Sequence, residues 1–117
     1  AVLVAIAIPV FTSQLEKSRD SVTVSNLRAA YAEAQTAYLT GDDGGNATYV
    51  STTEVDVTGV VSKGQNGDLS GLEADLPFDI ASSDLNTLGG TPSTYEIAFT
   101  YTLAADGSIT SIEASIK

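Results

Sequence analysis

The sequence predicts an α+β domain, a long N-terminal helix packed on a small antiparallel β-sheet. Three observations carry that expectation. Apolar side chains recur at helical spacing through Val24, Leu27, Tyr31, Ala34 and Tyr38. No glycine interrupts the chain before Gly41. Near the other end, YEIAFTYTL alternates with period two. With 117 residues and 12.0 kDa, the chain makes one domain with one modest core.

The first element is the helix. Residues 1–11, AVLVAIAIPVF, carry no polar side chain, and everything after them is polar and acidic. Good helix formers follow in LRAAYAEAQTAYL, and GDDGG at Gly41–Gly45 supplies the left-handed conformations that end a helix. Phe11, Leu15 and Val22 extend the apolar stripe upstream at a slightly shifted phase. Ser13 with Glu16 fits a capping box, and Pro9 opposes a helix interior by about 3 kcal/mol. Ala1–Ile8 is by itself either a buried strand or more helix. The expectation is one continuous helix, kinked or loosened at Pro9.

The sheet comes next. Short strands are expected at Ala47–Thr52 and Val55–Val61. A polar stretch from Ser62 to Ser93 follows, with turn signals throughout and one helical turn at Ser82–Leu85. The strand Tyr95–Leu103 directs Tyr95, Ile97, Phe99, Tyr101 and Leu103 to one face, toward the helix. Ala104–Gly107 turns the chain, and Ser108–Ile116 returns with Ile112, Ala114 and Ile116 in register. Ile109 is out of phase with them, which points to a bulge or a later strand start.

Composition excludes much chemistry. The chain has no histidine, cysteine or tryptophan, so a Ser-His-Asp triad, a thiolate metal site and a disulfide framework are all ruled out. GDDGGN and LGGTP lack the context and the Gly-Lys-Ser/Thr ending of phosphate-binding loops and read as loops. Asp42, Asp43 and Asn46, and Asp84 with Asn86, bring oxygen ligands close together without EF-hand spacing. Turn chemistry is their reading, and Asp75 and Asp79 across Pro77 read as solvated loop residues. Asn46-Ala47-Thr48 has the pattern of a glycosylation sequon. No catalytic residue, cofactor or metal ligand is assigned, and the chain is not expected to be an enzyme.

Charge is uneven. Residues 1–29 carry Lys17, Arg19 and Arg28 against Glu16 and Asp20, a balance of +1. Residues 30–117 carry Lys63 and Lys117 against thirteen carboxylates, a balance of −11. So acidic a body repels nucleic acid and anionic headgroups, and direct nucleic-acid binding is not expected.

Geometry then raises the functional question. About 40 helical residues extend ~60 Å, roughly twice the breadth of a body of this size, so the helix must project by about 30 Å. The expected division is a projecting apolar half at 1–22 and a head at 23–117. Seven of the first eleven side chains, Val2, Leu3, Val4, Ile6, Ile8, Val10 and Phe11, are large and apolar. Sequestering them is worth on the order of 10–20 kcal/mol. With no hydrophilic face, the segment must be surrounded, by lipid or by copies of itself. Eleven residues fall short of the ~20 that span a bilayer, and the expectation is that Ala1 lies inside a longer apolar segment. A cleaved secretory signal is the competing reading, but no small-residue cleavage site follows the apolar run.

The stretch AVLVAIAIPVFTSQLEKSRDS followed by NLRAAYAEAQTAY resembles a type IV pilin, and the lack of cysteine resembles the Gram-positive members more. The likeness is specific over Ala1–Leu39 and architectural beyond residue 46. It implies the pilin fold and a filament subunit with no cofactor. Its partners would be identical subunits in a helical filament, the cytoplasmic membrane before assembly, and an ATP-driven assembly machinery. Val2, Leu3, Val4, Ile6, Ile8, Val10 and Phe11 would pack in the filament core, with unwinding around Pro9. The product would be a surface appendage of the adhesion or motility type. The alternatives are a pseudopilin of a secretion or DNA-uptake apparatus, and a membrane-anchored binding module.

Overall fold

The computed structural model describes the backbone of residues 2–65, 67 and 69–117, and the side chains of residues 14–65, 67, 69 and 72–117. Helix α1 (Val2–Thr40) leads into strands β1 (Ala47–Ser51) and β2 (Glu54–Ser62). A 3₁₀ turn at Ser70–Asp75, strand β3 (Asp79–Ile80) and helix α2 (Ser82–Gly90) come next. Strands β4 (Ser93–Leu103) and β5 (Ile109–Ile116) follow as the last of the described elements. The molecule measures 65 × 25 × 18 Å, its long axis comparable with the ~58 Å of a 39-residue helix.

The fold is α+β, with α1 laid on a five-stranded sheet of order β1-β2-β4-β5-β3. The sheet is mixed and not purely antiparallel as the sequence suggested. Three neighbouring pairs are antiparallel, but β3 runs parallel to β5, with Asp79 opposite Glu113 and Ile80 opposite Ala114. A two-residue strand is too short to leave a period in the sequence. Asp79 is therefore a strand residue and not part of a loop. Ile80, beside it, is buried against the core.

Other boundaries moved for local reasons. The single turn expected at Ser82–Leu85 extends to Gly90, because Leu85 and Leu88 both bury completely on one face. Leu88–Gly90 of LGGTP thus belongs to a helix end, not to a loop. Strands β1, β2, β4 and β5 lie where alternation put them. The register between β4 and β5 shifts where Leu103 pairs with Ile109 and Thr102 with Ser111, which accounts for the phase of Ile109.

The core lies between α1 and the sheet. On the sheet side Val55, Val57, Ile97, Phe99, Tyr101 and Ala114 are buried. On the helix side the buried line runs Thr23, Leu27, Ala30, Ala34, Ala37. That 4-3-4-3 spacing is the true centre of the apolar stripe. Tyr31 and Tyr38 flank it half-buried, and Val24 is buried at its edge. Three alanines in this line let the helix backbone approach the sheet closely. Aromatic rings then fill the borders: Tyr38 stacks on Tyr101 at 4.0 Å, and Phe78 meets Phe99 edge-on at 5.3 Å.

Candidate functional site

The feature that distinguishes this molecule is where α1 parts from its own head. The first buried side chains described along the helix are Thr23 and Val24. Thr23 Oγ1 donates to the Arg19 carbonyl at 3.0 Å and accepts the Lys63 N–H at 3.0 Å, so the loop after β2 is tied to the helix there. One turn further down, Asn26 Nδ2 donates to the Val61 carbonyl at 2.9 Å. Arg28 Nε donates to the Asp75 carbonyl at 3.0 Å, fastening the end of the 3₁₀ turn.

Before Thr23 the helix has little cover. The Glu16 carboxylate accepts the Gln65 N–H at 3.0 Å and pairs with Arg19 at 3.3 Å. Around these contacts Gln14, Leu15, Lys17, Ser18, Ser21 and Val22 are exposed. Leu15 is 40% and Val22 45% exposed, so at these positions the apolar stripe does not enter this molecule's core. The described chain against this part of the helix is the loop after β2, where Gln65 meets Glu16.

The expected filament-packing residues Val2, Leu3, Val4, Ile6, Ile8, Val10 and Phe11, the expected kink at Pro9, and the Ser13 half of the capping box lie outside the residues whose side chains are described. The helix-to-sheet set is within them. Leu27, Ala34, Ile97, Phe99 and Tyr101 are in the core, with Tyr31, Tyr38 and Tyr95 packed half-buried against it.

The other end of α1 is an acidic tip. Glu33, Thr36, Ala37, Thr40, Asp42 and Asp43 line a groove of ≈ 540 Å³ there, and Leu39 beside it is 81% exposed. Asp43 Oδ1 accepts the Tyr49 N–H at 2.8 Å and so braces the loop with its side chain, whereas Asn46 contributes only its main-chain carbonyl, to the Thr58 N–H at 3.0 Å beside the β1–β2 ladder. Among the described residues no group of three or more acidic side chains is placed to hold a metal ion. Among them, too, no helix is long and apolar enough to cross a membrane.

Sequence reasoning passed over Asp56. This carboxylate is 4% exposed on the outer face of β2, opposite Thr48 and Ala98. It is held by the ammonium of Lys117, which also reaches Glu54 at 3.5 Å. A lone Asp between Val55 and Val57 was the available signal. Its partner, 61 residues later, leaves no local trace.

The chain matches no protein-family model, no curated protein and no solved structure.

Proposed function

We propose that this chain is a structural subunit of a type IV pilus-like filament, polymerising through the apolar end of α1. The observation that carries the reading is the departure of α1 from its head before Thr23, with Leu15 and Val22 left exposed on the way. The same helix is assigned back to Val2, through a segment with no polar side chain up to Phe11. A helix that has left its own core and becomes wholly apolar requires a surrounding that is not itself. Copies of the same helix supply that surrounding in a fibre, and bilayer supplies it before assembly. The head meanwhile has a core complete enough to fold around α1 from Thr23 onward, as a subunit passing between the two environments requires.

Function in this reading is mechanical and involves no chemical step. The acidic heads face water and keep fibres apart, while the apolar ends bundle inside. Val2→Asp and Ile6→Asp each place a charge in that bundle. The expected result is loss of pelletable filaments from cells expressing either variant, with the thermal melting of the detergent-solubilised subunit unchanged. Normal filaments from both variants would overturn the proposal.

A further inference from the structure

We propose that residues 41–45 form a strap across the open edge of the sheet, holding the place that β1 of a second copy would otherwise take. The inference stands on the head alone and does not depend on the filament reading. Three observations carry it.

The first is position. β1 is the end strand of the order β1-β2-β4-β5-β3, so one of its sides has no strand of the sheet beside it. The Asn46 carbonyl accepts the Thr58 N–H at 3.0 Å on the β2 side. In an antiparallel ladder alternate residues turn both main-chain groups to the same side. Asn46 and Thr48 therefore face β2, and Ala47 and Tyr49 face the open side. The second is occupancy. Ala47 donates its N–H to the Gly44 carbonyl at 2.9 Å and accepts the Gly44 N–H on its own carbonyl at 3.0 Å. Gly45, at φ 59°, makes the turn that brings Gly44 back alongside. Next along the edge, the Asp43 carboxylate accepts the Tyr49 N–H at 2.8 Å, in place of a neighbouring strand's carbonyl. Two residues of the strap thus satisfy three edge-facing groups.

The third observation identifies what the strap keeps out. β1 reads ATYVS, five uncharged residues in a chain of net charge −10, and Val50 on it is 49% exposed. An uncharged edge with open main-chain groups is a template for another strand. A second copy offers the same strand, related by a two-fold axis. One register joins Ala47 to the copy's Tyr49 and Tyr49 to the copy's Ala47. It engages both edge-facing residues and sets the two Thr48 residues opposite each other. The strap blocks that register by holding Ala47 and the Tyr49 N–H for itself.

The test uses the full chain in detergent and separates occupancy from charge. Asp43→Ala with Gly44→Pro opens the strap by removing the carboxylate and the Gly44 N–H. A Cβ at Gly44 meets nothing within 4 Å, so the larger residue has room. Asp43→Asn removes the charge and keeps an acceptor oxygen. The chain has no cysteine, so Thr48→Cys added to each background reports the two-fold contact. Its Cα separation of about 4.5 Å lies within disulfide reach. Under mild oxidation the strap-open chain should give at least tenfold more covalent dimer than either the parent or the Asp43→Asn chain. Asp43→Ala alone, a change at one exposed side chain, should speed hydrogen exchange at the Tyr49 amide about tenfold. Equal dimer yield in all three backgrounds overturns the proposal. So does a rise in the Asp43→Asn chain equal to that of the strap-open chain, which would make charge and not occupancy the guard. Unchanged Tyr49 exchange in the Asp43→Ala chain overturns it as well.

Discussion

Tyr101 shows how one residue couples packing to pH. It is 1% exposed, stacked on Tyr38, and its hydroxyl donates to Gln35 Oε1 at 2.8 Å. Burial, and then the neighbouring Tyr31 and Tyr38 hydroxyls, hold its ionisation above the ordinary value of 10.0. The folded protein therefore keeps a proton that the unfolded chain loses, and stability falls as pH rises past about 10, by up to ~1.4 kcal/mol per unit. Lys117 is also raised from its ordinary 10.5, chiefly by its hydrogen bond to Asp56, and adds a fall that starts slightly higher. Tyr101→Phe should cost about 1 kcal/mol at neutral pH through the lost hydrogen bond. It should also flatten the first part of the alkaline loss in a series of denaturant melts. Asp56 gives a second residue-scale test. Its Oδ1 has no hydrogen-bond partner among the described residues, so Lys117 is the main compensation for burying it. Lys117→Ala should lower the melting temperature. Adding Asp56→Ala should recover part of that loss, because an uncompensated buried carboxylate is worse than none.

At the scale of elements, the loop after β2 and the end of α2 approach each other closely. A Cβ on Gly64 would lie 2.5 Å from the Gly89 carbonyl oxygen, a backbone atom that cannot swing aside. Gly67 N donates to that same carbonyl at 3.0 Å, and Ser62 Oγ donates to the Leu88 carbonyl. Gly64→Ala must push these segments apart, at about 1–3 kcal/mol in equilibrium unfolding. Contacts of this kind explain what was legible in the sequence and what was not. Val24 to Tyr38 and Tyr95 to Leu103 repeat their periods over several turns or residues, so α1 and β4 could be read directly. The centre of the helical stripe could not, because Thr23, Ala30 and Ala37 are small and weakly apolar, and only the nearby sheet makes them core. Likewise β3 is two residues long and exists because β5 is there to pair with it. Asp56 and Lys117 meet across the sheet, so neither local pattern nor spacing connects them. The exposed neck was half legible: the apolar run is plain in the sequence, whereas the exposure of Leu15 and Val22 needed the position of the strands.

The whole molecule divides its labour along α1. In the proposed filament the helix before Thr23 packs against other copies, and after it the helix is the central support of a head with its own core. Substitutions in the two parts should accordingly separate: those at Val2 or Ile6 alter assembly in that filament, and those at Gly64 or Tyr101 alter unfolding. The order of strands has a further effect, on timing. β5 lies between β4 and β3, so it fills a slot whose two walls were synthesised earlier. Until it arrives, Ile80 has no ladder to join and Phe99 lacks Ala114 opposite it. A nascent chain still missing Ile109–Ile116 is therefore an open, unsealed sheet with an adhesive edge. Ribosome-bound or export-arrested lengths ending before Ile109 should be digested rapidly by protease, and lengths extending past Ile116 should resist it.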